Sequence, residues 1–296
     1  MMNEIQIDSL LPAEMAEKAE SIGVRKANMQ FFTMLMLSIL AGAFIALGSI
    51  FATTIAAGGI SVSAAEGALV YLTALPYGVT RLLTGLVFCL GLILVVVGGA
   101  ELFTGNNLIV MAWASKKVTT SALLRNWVIV YIGNFIGAVG TAVMMFFTKQ
   151  YTFGSDSVGI AALRIAVSKS ELDFVQAIAL GILCNVLVCL AVWLTFSART
   201  TLDKIASIIF PITAFVAAGF EHSVANMYFI PYALLVKMFD SEFMSRVSER
   251  VANLDSLTWQ AFFVNNLIPV TIGNVIGGVV FVAAIYWVVF LRGKKA

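Results

Sequence analysis

The sequence contains one histidine, His222, and it follows a carboxylate, Glu221, in the segment Gly219-Phe220-Glu221-His222-Ser223. That segment interrupts an otherwise apolar run, Ile205 to Val236, in which Glu221 is the only acidic or basic residue apart from the histidine. A second run, Leu82 to Ser115, has the same character. Its single charge, Glu101, lies in the glycine-containing stretch from Gly98 to Asn107. Ionisable groups in a long apolar run are costly, so a functional role is the first reading of His222 and a satisfied packing role the second. Imidazole titrates near neutrality, which suits a gate or a proton relay. Glu101 and Glu221 either line a pathway or accept hydrogen bonds from backbone groups freed where the helix is interrupted. For an anion pathway the second role is the better one, because carboxylates at a constriction repel an anion. Thr104 and Asn106 offer further donors beside Glu101. Phe88, Leu92, Leu102, Phe103, Val188 and Phe215 are bulky and apolar near the interruptions. They are either packing residues or two apolar constrictions flanking a polar site. Lys169 precedes the fourth apolar run and is either an ordinary loop lysine or a lure for anions at the outer mouth.

Other chemistries are poorly served. One histidine cannot supply His-Glu-x-x-His, and no cysteine lies near it in sequence, so no metal site and no cofactor are expected. Cys89, Cys184 and Cys189 fall inside apolar runs and read as small buried thiols. No Gly-x-Ser-x-Gly serine accompanies the histidine, so an intramembrane protease is not expected. The net charge of +2 carries no basic cluster, which leaves nucleic acid out.

The elements that must position these residues are membrane spans. Hydrophobic residues make up 60% of the chain and charged ones 11%, against roughly 25% charged in a soluble domain. A lipid bilayer accommodates that composition. Six apolar runs are each long enough for a span of about 20 residues. They fall near Met29–Ala57, Leu82–Ser115, Asn126–Thr148, Phe174–Ala198, Ile205–Val236 and Ser256–Leu291. The second and fifth exceed 30 residues, about 45 Å as one straight helix across a core of about 30 Å. Excess length with an internal polar patch predicts a broken helix, tolerated only where it is buried in protein or lines a cavity. Of the 18 lysines and arginines, eleven fall on the side that holds both termini and seven on the other, so both termini are expected in the cytoplasm of a multi-pass cell-membrane protein. Residues 1–28 are expected to form an amphipathic helix on the cytoplasmic face, not needed for the pore itself, that either modulates access or is an interfacial anchor, with Leu10, Leu11, Met15, Ala19 and Ile22 on its apolar stripe. Residues 29–291 are the six-helix domain and 292–296 a short tail.

The two halves of the chain echo each other. Asn126 to Gly137 reads NWVIVYIGNFIG and Asn266 to Gly277 reads NLIPVTIGNVIG, at an offset of 140. Gly99, Glu101 and Asn106 fall on Gly219, Glu221 and Asn226 at an offset of 120. Each half therefore holds three spans with the broken one in the middle. An odd number of spans inverts the second half against the first, an arrangement that recurs in transporters.

These segments resemble those of a known family. GAELFTGN at Gly99–Asn106, GFEHSVANM at Gly219–Met227, NLIPVTIGNVIGG at Asn266–Gly278 and GILCNVLVCLAVW at Gly181–Trp193 are similar to the signature segments of the formate/nitrite transporters. The start, Asp8 to Ala27, is similar to the N-terminal helix of bacterial formate channels. The resemblance implies an all-α, aquaporin-like protomer and a homopentamer with one pore per chain. It implies formate as the anion, with nitrite or hydrosulfide as the alternative, and protons as a second partner. It places the central histidine on His222, the pore threonine on Thr104, the pore asparagine on Asn185 and the vestibule lysine on Lys169. It assigns the outer constriction to Phe88, Leu92 and Val188 and the cytoplasmic one to Leu102 and Phe215. Thr104-Gly105-Asn106 is closer to the nitrite and hydrosulfide members. The twin Asn-Pro-Ala breaks of water and glycerol pores are absent.

Overall fold

A computed structural model describes residues 8–293 except 59, 62–71 and 74. The first seven residues of the expected N-terminal helix and residues 294–296 of the expected tail lie outside the described residues. Among the described residues the regular structure is helical apart from a two-residue antiparallel pair, β1 (Ile60–Ser61) with β2 (Leu72–Thr73). The helices are α1 (Pro12–Ala27), α2 (Phe31–Ala56), α3 (Tyr77–Gly98), α4 (Val110–Ala114), α5 (Thr120–Phe147), α6 (Ser157–Ser170), α7 (Phe174–Ser197), α8 (Thr201–Ala218), α9 (Ser223–Phe239), α10 (Ser241–Val247) and α11 (Ala261–Phe290). Within α11 the turns over Ala261–Leu267 and Val279–Ala284 are π-helical. Six of these helices (α2, α3, α5, α7, α8 and α11) are long and apolar enough to cross a membrane. Their outward faces keep large apolar side chains exposed, as at Val128, Phe210 and Val289. That is the inverse of a soluble protein and the expected surface of a multi-pass membrane protein.

Local chemistry sets the helix ends. The Thr119 hydroxyl accepts from the Ala122 N–H to start α5, and the Asp173 carboxylate accepts from Val175 and Gln176 to start α7. Thr200 and Asp203 form a reciprocal capping box at the start of α8. Both interrupted helices stop in the same way. Gly99 ends α3 at φ 80° and Gly219 ends α8 at φ 79°, a left-handed conformation that glycine adopts without a Cβ penalty. The chain changes neighbours at each break. Helix α8 packs on α3 and α7, whereas α9 packs on α5, α6 and α2.

The long helices meet through small residues. A Cβ on Gly137 would strike the Ile39 carbonyl of α2, and a Cβ on Gly277 would strike the Ile182 carbonyl of α7. These two glycines are 140 residues apart, the same spacing as the sequence echo. Close approach replaces hydrophobic drive where lipid surrounds the helices.

Candidate functional site

The first break runs from Gly99 to Thr104 and leads through a 3-10 segment, Gly105–Ile109, into α4. Glu101 is buried, and one of its oxygens accepts from Lys26 Nζ at 2.9 Å, at the end of α1. The other accepts from Asn106 Nδ2 at 2.8 Å. Asn106 also donates to Asn126 Oδ1, and Asn126 in turn donates to the Lys26 carbonyl. Asn134 stitches the break to its neighbours. Its amide donates to the carbonyls of Ser38 and Glu101, and its oxygen accepts from the Phe103 N–H at 2.9 Å.

The second break, Gly219 to His222, carries the same set of bonds. Glu221 accepts from Lys169 Nζ at 2.7 Å and from Asn226 Nδ2 at 2.6 Å. Asn226 donates to Asn266 Oδ1, and Asn266 donates to the Lys169 carbonyl. Asn274 donates to the carbonyls of Gly181 and Glu221 and accepts from the Ser223 N–H at 2.9 Å. Buried backbone groups left over at a helix break need partners, and asparagine supplies both a donor and an acceptor. This explains why the echoed residues are asparagines.

Two groups that are not echoes of each other meet between the breaks. Thr104 Oγ1 lies 3.0 Å from His222 Nε2, and both residues are buried. His222 is also the N-cap of α9, where its Nδ1 accepts from the Ala225 N–H at 3.1 Å. That bond occupies the Nδ1 lone pair, so the neutral ring carries its proton on Nε2 and donates it to Thr104. Asn185 binds the two parts together. Its amide reaches the carbonyls of Thr104 and Asn274 and the side chain of Asn107.

Two cavities flank this pair, one reaching Leu102 and Gly105 on either side of Thr104 in sequence and the other reaching His222, while Thr104 itself lines neither. One, of about 340 Å³, is lined by Lys18 and Lys26 of α1, Leu92, Glu101, Leu102 and Lys204. Burial, followed by the charges of Arg199 and Lys204, lowers the Lys18 pKa from the ordinary lysine value. The other, of about 170 Å³, is lined by Arg81, Phe88, Lys169, Phe215, Glu221 and His222. Arg81 donates to the Ala217 and Val216 carbonyls at the end of α8, where the helix dipole favours a cation. Glu101 and Glu221 thus face the cavities while each is held by a lysine.

The arrangement differs from the sequence expectation in three respects. Leu92 joins Leu102 at the cavity beside α1, and Phe215 joins Phe88 at the opposite one, their rings edge to face with centroids 5.6 Å apart. Phe88 and Leu92 are one helical turn apart, so a break between them in depth separates residues that sequence grouped together. Phe103 lines neither cavity and packs edge-on against Trp127 and Tyr131 of α5. Asn185 and Val188 are buried on α7 and line neither cavity. Helix α1 packs on the six-helix domain, where its Lys26 holds Glu101; Met15 and Ala19 of its apolar stripe are buried, while Leu11 is 68% exposed. Lys26, Arg81, Asn107 and Asn274, the partner of Asn185, join the site although none was among its expected residues. The echo at an offset of 140 marked Asn126, Asn134, Asn266 and Asn274 without saying what they bind.

Residues 13–288 match the sequence profile of the formate/nitrite transporters. This chain belongs to the formate/nitrite transporter family. It is 42% identical over 286 residues to the formate channel FocA of Escherichia coli strain K12, covering 96% of each chain. Among solved structures, a pentameric formate channel with formate bound superposes with a TM-score of 0.78 at 43% identity, covering 88% of this chain and 98% of that one. An ion channel of the same family superposes with a TM-score of 0.73 at 27% identity, covering 93% and 98%. These formate/nitrite transporter relatives are channels, not enzymes.

Proposed function

We propose that this protein is a channel for small monovalent anions, with formate as its substrate, working as a homopentamer with one aquaporin-like pore per chain. The observation that carries the reading is the buried Thr104–His222 contact, held between two cavities whose carboxylates are each paired with a lysine. An anion entering either cavity meets cations whose opposing carboxylates are already engaged. Phe88 with Phe215 on one side and Leu92 with Leu102 on the other form the apolar constrictions. The duplicated networks support two three-span repeats in inverted relation. The side bearing α1 faces the cytoplasm by its excess of lysine and arginine.

In this reading His222 acts first as a hydrogen-bond donor. Its Nε2–H points at Thr104, which accepts and keeps its own hydroxyl proton for the anion. Charging the ring requires a proton on Nδ1 and so breaks the cap to Ala225. That cap contributes about 1 kcal/mol, so proton donation to the anion is coupled to the first turn of α9. This coupling gives the pore its pH response.

The test is initial formate flux into proteoliposomes across a pH series, at matched protein incorporation. His222→Asn keeps an N-cap oxygen and an N–H donor but cannot titrate. It is expected to conduct with a flattened pH response. His222→Phe removes donor and cap, and flux should fall more than tenfold. Wild-type rate and pH response in both variants would sink the reading. The sequence Thr104-Gly105-Asn106 favours nitrite or hydrosulfide as a second reading. A tenfold faster flux of either, measured beside formate, would establish it.

A further inference from the structure

A third cavity, of about 880 Å³, lies across α1 from the cavity that Lys26 lines, sharing Arg25 with it, and between the ends of α4 and α11. Four cations line it, Arg25, Lys116, Lys117 and Arg292, with two carboxylates, Glu17 and Glu20. Lys117 is ion-paired with Glu20. Lys116 stands two residues beyond the end of α4, and Arg292 two residues beyond the end of the α11 span. Both charges therefore sit where the chain leaves the apolar layer.

Other features of the cavity fit the same depth. Trp287 lines it, and its indole N–H donates to Ser115 Oγ at 2.9 Å. Ser115 accepts that bond, so its own hydroxyl proton stays available to an acceptor in the cavity. Trp113, on α4, is exposed and keeps its own N–H on Thr120. Paired tryptophans of this kind mark the level of lipid headgroups. On the last turns of α11, Val288 and Val289 present exposed apolar surface. Lys116 also has φ 62°, a left-handed position after α4 that glycine fills more easily.

We propose that this cavity binds the headgroup of an anionic phospholipid from the leaflet that meets the α1 face. Lys116 and Arg292 hold the phosphate, Ser115 donates to it, and the acyl chains run along the exposed valines of α11. A basic cleft between spans at headgroup depth is the chemistry that selects anionic over zwitterionic lipid. The cavity contacts α1 through Glu20 and Arg25, so an occupied site also fastens that helix to the span ends.

The experiment is native mass spectrometry of the purified assembly after exchange into phosphatidylglycerol or phosphatidylcholine, with inorganic phosphate as a third arm. Wild type should retain phosphatidylglycerol at least tenfold over phosphatidylcholine, and millimolar phosphate should not displace it. Lys116→Gly suits the left-handed backbone while removing the charge, so loss of lipid there is not a folding defect. It and Arg292→Gln should each cut the preference several-fold, and the double variant should abolish it. Equal retention of both lipids by wild type, or an unchanged preference in the double variant, overturns the proposal. Displacement by inorganic phosphate overturns it in favour of a free-anion site. The readout is lipid retention, so it stands whether or not the pore carries formate.

Discussion

The two helix breaks share a scaffold and divide the chemistry. Glycine at φ 80° and 79°, a carboxylate two residues on, a lysine that pairs with it and an asparagine five residues after it occur in both. Shifted by 120, however, Thr104 falls on Val224 and His222 falls on Leu102. The duplicated positions are those that satisfy backbone and charge inside an apolar surround. Thr104 and His222, which meet at the centre, are among the positions that differ. The breaks also differ in the helix each one enters. The second leads straight into a 17-residue helix capped by His222, while the first passes through a five-residue 3-10 segment into a helix of five residues. The two breaks thus share one frame of bonds, and one residue of each, Thr104 and His222, forms a buried contact that the frame does not repeat.

The largest expected effects probe whether the frames are equal in strength. Asn134→Ala and Asn274→Ala each orphan two buried backbone groups at a break, an N–H and a carbonyl, and also lose a bond to a carbonyl of a neighbouring helix. Each should lose about 4 kcal/mol, summing roughly 1–3 per unsatisfied group with partial relaxation. Thermal unfolding in detergent should show similar drops, and a loss at one site only would break the equivalence.

Next are the carboxylates, where the comparison predicts a difference. Glu221→Gln places an amide against a lysine and two asparagine amides, and Lys169 is 14% exposed. Glu101→Gln faces the same conflict beside Lys26, which is 25% exposed and keeps a second acceptor on Asn106. Stability should fall by about 3 kcal/mol at Glu221 and about 2 at Glu101, buried-pair values reduced for solvent access. Equal losses in the same unfolding measurement would show that burial of the lysine is not what separates the two.

The smallest effect concerns the glycines. Gly99→Ala and Gly219→Ala both force a Cβ into a left-handed backbone, at about 1 kcal/mol each. At Gly99 the Cβ meets nothing within 4 Å, whereas at Gly219 it lies 3.3 Å from Arg81 Nη2. Gly219→Ala should therefore be slightly the worse, with its excess removed in an Arg81→Ala background. Sidedness needs its own check. A cysteine at the exposed Glu171, in a chain lacking Cys89, Cys184 and Cys189, should react with an impermeant thiol reagent from outside, while one at Lys116 should not. Ser170 is unsuitable for this purpose because it is buried.

Much of the architecture was legible in the residues themselves. Long apolar runs force membrane spans, because no soluble fold hides that much surface. A lone carboxylate among glycines inside such a run forces a break and a partner for the charge. The echoes at 120 and 140 marked residues that make matching bonds at both breaks, because the same backbone problem arises twice and asparagine solves it twice. Tertiary structure alone decided the partnerships. Lys26 and Glu101 are 75 residues apart, and Thr104 and His222 are 118 apart, so no local pattern joins them. Which of Phe88 and Leu92 faces which cavity depends on one helical turn of depth, and whether Phe103 lines a pore or packs on α5 depends on how the break re-aims the chain. Periodicity fixes a residue's face on its own helix, but only the packing of one helix against another fixes what that face meets.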